Sequence, residues 1–316
     1  MSAQHGVLVA RAAFPEACKR PTTVSADRTC WALVALLCAF LILTACTTVS
    51  PRRGELSTRF TPGQAFSHEA FGRVLNAFVD DRGRVDYAAL KADPGGLELY
   101  YRLIASYSPD SHPALFPDRD HELAYWINAY NAAAMKIVVD YYPVRSITDI
   151  GPPAPLFFLP DKWGFFLLHR PQFGTVNTSL YYLENSVIRK RFLEPRIHFA
   201  LNCASISCPR LPREAFTGPL LQQQLEHEAR TFFAKESNLK IDHQASVVYL
   251  SSIMDWYQDD FIAWLEKHHP DRRASLLGYV ALYVDDQTAG ELAKAGGYGV
   301  EFVPYDWTLN DQNPVR

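Results

Sequence analysis

Between Arg196 and Pro209 the chain reads RIHFALNCASISCP, which delivers His198, Asn202, Cys203 and Cys208 within a few positions. Four chemistries use such residues: a thiol nucleophile assisted by an imidazole, a zinc site, a disulfide, or small groups buried in a core. A thiol–imidazole dyad is defined by geometry rather than by adjacency in sequence. The apolar run Ile197–Cys203 predicts a buried strand, on which His198, Ala200 and Asn202 face one way and Ile197, Phe199, Leu201 and Cys203 the other. His198 then meets Cys203 only if the chain turns at Asn202, and His121, His169, His227 or His243 can equally serve as its partner. Zinc would need H-x4-C-x4-C, which is not a tight ligand pairing and has no evident fourth ligand. No metal or other cofactor is expected.

Three further groups break the hydrophobic pattern. ELAYWINAYNAAAMKIVVDYY, Glu122 to Tyr142, is apolar all the way round, the mark of a buried helix. Asn128 and Asn131 sit inside it at i,i+3 and share a face. Buried amides need partners, so they bond either backbone or a ligand. In NTSLYYLENSVIRKRF, Asn177 to Phe192, Glu184 lies on the face defined by Leu180, Leu183, Val187 and Ile188. A buried carboxylate is either paired with an arginine or histidine or kept as a proton carrier. In SSIMDWYQDDFIAW, Ser252 and Asp255 fit a capping box, and the remaining aspartates read as cap and surface charge. Asp306, in PYDWTLN, either orients a histidine or makes an Asx-type turn.

The elements that must position these groups begin after an export segment. The apolar run Cys30–Ala45 behind Arg28 is too short to span a bilayer stably and suits the core of a signal peptide. It ends in LTAC, Leu43 to Cys46, which looks like a bacterial lipobox with Cys46 as the lipidated residue. Residues 1–45 are therefore expected to be a lipoprotein signal region, whose early part fits an initiation site placed too far upstream. Of the six cysteines, only Cys203 and Cys208 then remain unmodified in the mature protein. In an oxidising compartment such a pair is a disulfide candidate. Thr47 after Cys46 favours outer-membrane retention in a Gram-negative host. The expected location is the cell envelope, facing the periplasm, with membrane attachment through Cys46.

Residues 46–63 are polar and punctuated by Pro and Gly, as in a tether. Residues 64–316 show no long linker or repeat and read as a single globular domain. Helical patterns occupy 66–80, 97–107, 120–142, 179–192, 213–235, 254–267 and 272–295, and strand-like runs 164–170, 197–203, 246–252 and 299–306. This order predicts an α+β fold with mixed helices around a mostly antiparallel sheet. With 48% hydrophobic residues and a formal charge of −3, there is no basic footprint for nucleic acid. GGYG near 296 lacks the lysine and helix of a phosphate loop.

YWINAYN (Tyr125–Asn131), SLYYLENSVIR (Ser179–Arg189), RIHFALNCASISCP (Arg196–Pro209), VYLSSIMDWYQDDF (Val248–Phe261) and YDWTLN (Tyr305–Asn310) together resemble the domain-of-unknown-function 547 family. The resemblance implies that bacterial members are commonly exported, often as lipoproteins, whereas eukaryotic members occur inside cells. It supplies no activity. Its motifs fall on Asn128, Asn131, Glu184, His198, Cys203, Asp255 and Asp306. It also implies that intracellular relatives often carry Ser in place of Cys208, which shifts weight from a disulfide toward a reactive Cys203.

The leading expectation is a thiol-dependent hydrolase or transferase acting on an envelope peptide or acyl substrate. Cys203 would be the nucleophile, His198 or another histidine the base, Glu184 or Asp306 its orienting group, and Asn128 and Asn131 the substrate or oxyanion holders. The alternative is a non-enzymatic binding or scaffold domain with a structural Cys203–Cys208 pair and a protein or peptide partner.

Overall fold

The computed structural model describes residues 47–50, 60, 63–152, 156 and 159–314. The expected signal region, Cys46 and most of the expected tether lie outside the described residues. A compact unit spans Thr47–Arg316. Among the described residues no helix is long and apolar enough to cross a membrane.

The first four α-helices among the described residues are α1 (Glu69–Phe78), α2 (Tyr87–Ala92), α3 (Gly95–Ser106) and α4 (Arg119–Tyr141). Asp118 caps α4 by accepting the His121 N–H, and Asp120 and Glu122 complement the dipole of its first turn. The helix ends just before Pro143, which cannot continue it. Every residue from Leu123 to Val139 is buried, so α4 is the axis of the main hydrophobic cluster. Against it packs α3, and α1 lays Phe71 on Tyr100 of α3 with ring centroids 4.8 Å apart.

A helical stretch of three pieces follows: α5 (Leu180–Tyr182), a π-helical segment (Leu183–Ile188) and α6 (Arg189–Phe192). Next come a 3₁₀ helix (Pro195–Phe199), α7 (Leu221–Phe233), α8 (Ser252–Trp256), α9 (Gln258–His268), α10 (Leu276–Val280) and α11 (Asp286–Lys294). A second hydrophobic cluster gathers Phe232, Phe233, Val248, Leu250, Phe261 and Tyr279. Phe199 belongs to this cluster and Ala200 to the first. The stretch from Arg196 to Pro209 therefore runs along the seam between two cores.

The α+β expectation holds, but the strands form two small mixed sheets. β1 (Thr47–Val49) pairs in parallel with β2 (His169–Phe173), which pairs antiparallel with β3 (Val176–Asn177). β5 (Val247–Ser251) pairs antiparallel with β4 (Leu239–Asp242) and in parallel with β6 (Gly299–Val303). Part of the expected tether is thus a strand: Val49 is buried and its carbonyl accepts the Tyr101 hydroxyl at 2.7 Å. The expected strand 164–170 is π-helical over Gly164–Leu168 and extended only from His169.

The expected strand 197–203 is instead the 3₁₀ helix followed by irregular chain. Pro195 at its start and a Glu194 carboxylate accepting the Arg196 N–H at 3.1 Å favour a turn. A short, fully buried apolar run carries no period that separates strand from helix. The cap of α8 is also displaced by one residue: Ser251 accepts the Ile253 N–H, whereas the Ser252 hydroxyl donates to the Val303 carbonyl.

The last residues close the molecule. The Val85 N–H donates to the Asn310 carbonyl, Gln312 N–H to the Val85 carbonyl, Leu309 N–H to the Arg145 carbonyl and Asn310 N–H to the Ala204 carbonyl. Asn310, buried, accepts the hydroxyl of the fully buried Tyr87 at 2.9 Å. Leaving that hydroxyl unpaired costs on the order of 2 kcal/mol. We expect Asn310→Ala to lower unfolding free energy by about that amount in urea denaturation, with no change in m-value.

Candidate functional site

Two groups of side chains meet near the seam. The first is the loop from Cys203 to Cys208, closed by a disulfide whose Cα atoms are 6.2 Å apart. α4 holds its entry: the Asn131 Nδ2 donates to the Ala200 carbonyl at 3.0 Å, and its Oδ1 accepts the Asn202 N–H at 2.8 Å. Asn202 continues the bracing, donating from Nδ2 to the Pro209 carbonyl at 2.7 Å and accepting the Ala204 N–H at 2.9 Å. Ala204 is left-handed, with φ 65°, a conformation that costs a residue with a Cβ and persists only where its surroundings enforce it. From outside, the C-terminal segment holds the loop through the Ile206 N–H on the Thr308 carbonyl and the Ser207 N–H on the Asp306 carbonyl.

Three hydroxyl and sulfur groups line this loop. The Ser205 hydroxyl donates to the Tyr305 oxygen at 3.0 Å, and the Tyr305 hydroxyl donates to the Cys208 Sγ at 3.1 Å. The Cys203 N–H also donates to the Cys208 Sγ, at 3.0 Å. Burial pushes the Tyr305 hydroxyl well above its ordinary pKa, with the nearby carboxylates of Glu184 and Asp306 adding to the rise. Tyr305 therefore stays protonated and acts as a donor.

The second group surrounds Glu184, which the π-helical segment turns into the interior. An inserted residue of this kind rotates the side chains after it, and such segments recur at functional sites. The Glu184 carboxylate accepts hydroxyls from Tyr130 and Tyr257. Burial, and then the Glu184 charge, raises both tyrosines well above their ordinary pKa. His198 stacks on Tyr257 with ring centroids 3.8 Å apart, and its Nε2 lies 2.8 Å from the Asp260 Oδ2. Arg189 grips the same Asp260 with two hydrogen bonds, at 2.7 and 2.9 Å, and lies over the Tyr257 ring.

Burial alone would raise the Asp260 pKa, but hydrogen bonds from His198 and Arg189 hold it well below the carboxylate range. Burial lowers the His198 pKa, opposed in part by Asp260. The imidazole is thus neutral at pH 7. Because an ionised carboxylate can only accept, the proton sits on Nε2.

The remaining sequence candidates fall elsewhere. Asn128 does not face a ligand: its Nδ2 donates to the Phe216 carbonyl at 2.7 Å and its Oδ1 accepts the Phe216 N–H at 3.0 Å. With Asn131 it clamps backbone to α4. Asp306 is exposed and accepts the Thr308 N–H at 2.9 Å, an Asx-type turn. It stands beside the cysteine loop, not beside His198. His121, His169, His227 and His243 are each hydrogen-bonded to groups other than cysteine.

Sequence reasoning assigned Asp260 to surface charge, whereas it is the partner of His198. Its signal was present, because Tyr257, Asp260 and Phe261 stand at helical spacing on one face. For Glu184 the sequence suggested either an arginine or histidine partner or a proton-carrying role, whereas two tyrosine hydroxyls hold it. Tyr130, Tyr257 and Tyr305 carried no such signal, since each looks like any aromatic of a core.

Among the described residues no group of three or more His, Cys, Asp or Glu is placed to hold a metal ion. A cavity of about 600 Å³ opens elsewhere, lined by Arg230, Phe233, Leu239, Ile241, Tyr283 and Glu291 among others. None of its lining residues belongs to the cysteine loop or the Glu184 group.

The buried histidines set a pH dependence. Burial lowers the pKa of His198 and His169, and burial followed by the charge of His121 lowers that of His68 to about 3. A folded-state pKa below the unfolded value means that unfolding takes up a proton once pH falls below about 6.5. Stability contributed by these groups is present above that pH and is lost on acidification. We expect unfolding free energy to fall as pH drops below about 6.5, with His68 contributing a slope that approaches about 1.4 kcal/mol per pH unit and His198 and His169 adding in the same direction. Urea denaturation between about pH 6.5 and 5 should show a shallower pH dependence in His198→Gln.

No curated protein and no solved structure matches the chain significantly. The family comparison does find a match, and it covers α4, the Glu184 helix, the cysteine loop and α7. Residues 115–233 match the family described as "Protein of unknown function, DUF547".

Proposed function

We propose that this chain is an envelope lipoprotein, anchored through Cys46, whose folded domain works by binding a protein or peptide partner. In this reading the Cys203–Cys208 pair closes a loop of the binding domain. One observation carries it: the Cys203 sulfur is bonded to Cys208, while the His198 imidazole is hydrogen-bonded to Asp260. The same economy of partners extends to Asn128 and Asn131, whose amides hold backbone. Beside the loop stand the partly exposed rings of Trp256, Tyr305 and Trp307, with Trp256 and Trp307 stacked 5.7 Å apart. Tryptophan and tyrosine of this kind are the usual anchors of protein contacts.

The thiol-dependent hydrolase or transferase has less support. Its nucleophile would first have to be released from the disulfide, and the hydrogen bond of His198 runs to Asp260, not to Cys203. The envelope location rests on the lipobox LTAC before Thr47.

Protein purified without reductant should give no adduct at Cys203 with electrophilic probes, read by intact mass. Stoichiometric labelling of Cys203 would overturn the binding reading. Loss of a short disulfide-closed loop costs about 2 kcal/mol. Cys203→Ser should therefore lower Tm by roughly 4–8 °C.

Lipidation is tested separately. The mature protein should partition into a detergent phase and carry a diacylglycerol mass on Cys46, and Cys46→Ser should move it to the aqueous phase without that mass.

A further inference from the structure

We propose that the Cys203–Cys208 pair is a thiol–disulfide exchange centre, in which Cys203 is the sulfur attacked and Cys208 the thiolate that leaves. The inference is independent of what the domain binds. It rests on the asymmetry of the two sulfurs. Cys208 Sγ accepts two hydrogen bonds, from the Cys203 N–H at 3.0 Å and the Tyr305 hydroxyl at 3.1 Å. Cys203 Sγ lies within hydrogen-bond reach of the Ser205 hydroxyl at 3.2 Å and the Tyr305 hydroxyl at 3.4 Å, but with their protons directed to Tyr305 and to Cys208 neither donates to it.

A bridged sulfur is a weak acceptor, and a thiolate a strong one. Donors aimed at Cys208 therefore favour the state in which that sulfur carries the charge. The Ser205 hydroxyl donates to Tyr305 while Tyr305 donates to the sulfur, so the two bonds polarise each other in the same direction. The chain holds these donors in place whether or not the bond is closed. Asn202 and the left-handed Ala204 fix the backbone that presents the Cys203 N–H, and the C-terminal segment fixes Tyr305.

Among the described residues, the charges that act on Tyr305 at this centre are those of Glu184 and Asp306. The two carboxylates oppose a thiolate, and the two donors favour it. The sulfurs lie just beneath the surface: both cysteines are 8% exposed, under a loop tip where Ile206 is 38% exposed.

The co-reactant is a dithiol of the envelope, protein-borne or small. One of its thiolates attacks the Cys203 Sγ. The Cys203–Cys208 bond breaks, its electron pair passes to the Cys208 Sγ, and a mixed disulfide joins Cys203 to the dithiol. The second thiolate of the dithiol then attacks the dithiol's own sulfur in that mixed disulfide. Cys203 leaves as a thiolate and the dithiol closes to a disulfide. Two electrons and two protons pass to the pair, and the reverse sequence restores it.

The test equilibrates the purified protein in buffers of reduced and oxidised glutathione, quenches with acid, and counts alkylated Cys203 and Cys208 by peptide mass spectrometry. We expect reversible reduction with a midpoint inside the glutathione range, and a shift of about tenfold toward the disulfide in Tyr305→Phe, the size expected for a hydrogen bond to a charged group. A pair that stays bridged at the most reducing buffer, or a Tyr305→Phe midpoint equal to that of the unaltered protein, would overturn the proposal. If Tyr305→Phe does not fold, Ser205→Ala replaces it, with a smaller shift in the same direction expected and an unchanged midpoint counting against the proposal. In the Cys203→Ser protein, Cys208 should alkylate with a pH midpoint below that of an unperturbed thiol.

Discussion

A helix buried on every side has no solvent to satisfy its polar groups, and α4 is such a helix. It carries Asn128, Asn131 and Lys136 in its interior. Each must therefore bond to something within the fold. Lys136 pairs with Asp140 at 2.6 Å and with Glu98 at 3.3 Å. The two amides each accept one backbone N–H and donate to one carbonyl, imitating a rung of a sheet. This requirement determines where residues 200–202 and 216 run. The cysteine loop starts from the first of those anchored points, and its geometry follows from the need to satisfy amides several residues away.

The electrostatics of the neighbouring group follow a different rule. Burying a carboxylate is tolerated where several donors share it. Glu184 has two tyrosine hydroxyls, while Asp260 has an arginine and a histidine. Tyr257 links the two, bonded to Glu184 and stacked on His198. The Glu184 charge also acts through space on Tyr305, raising its pKa, so the carboxylate is felt at the cysteine loop.

Much of this was legible in the chain. A long apolar segment such as α4 announces itself by its length, and alternating runs such as β5 and β6 by their period. The burial of Asn128, Asn131 and Glu184 was legible too, since each interrupts an apolar face. What escaped was decided by tertiary partners. Residues 197–199 are apolar in any conformation, and only their place between two cores selects a 3₁₀ turn. Asp260 looks like any surface acid until His198 and Arg189, distant in sequence, converge on it. The hydroxyls of Tyr130, Tyr257 and Tyr305 are hidden in residues that the hydrophobic pattern counts as packing. Thr47–Val49 is too short to register as a strand before β2 lies beside it.

The closing role of the C-terminal segment has a kinetic side. Asn310 donates to Gly83, 227 residues earlier, and accepts from Tyr87. The chain emerges from synthesis N-terminus first, so these pairings are the last available. Contacts of such sequence separation slow the search for the native state. Cys203 and Cys208 are within reach of each other long before Tyr305 arrives to seat against them. Closing the loop needs only residues 203–208, whereas completing its donor shell needs Tyr305, 97 residues beyond Cys208.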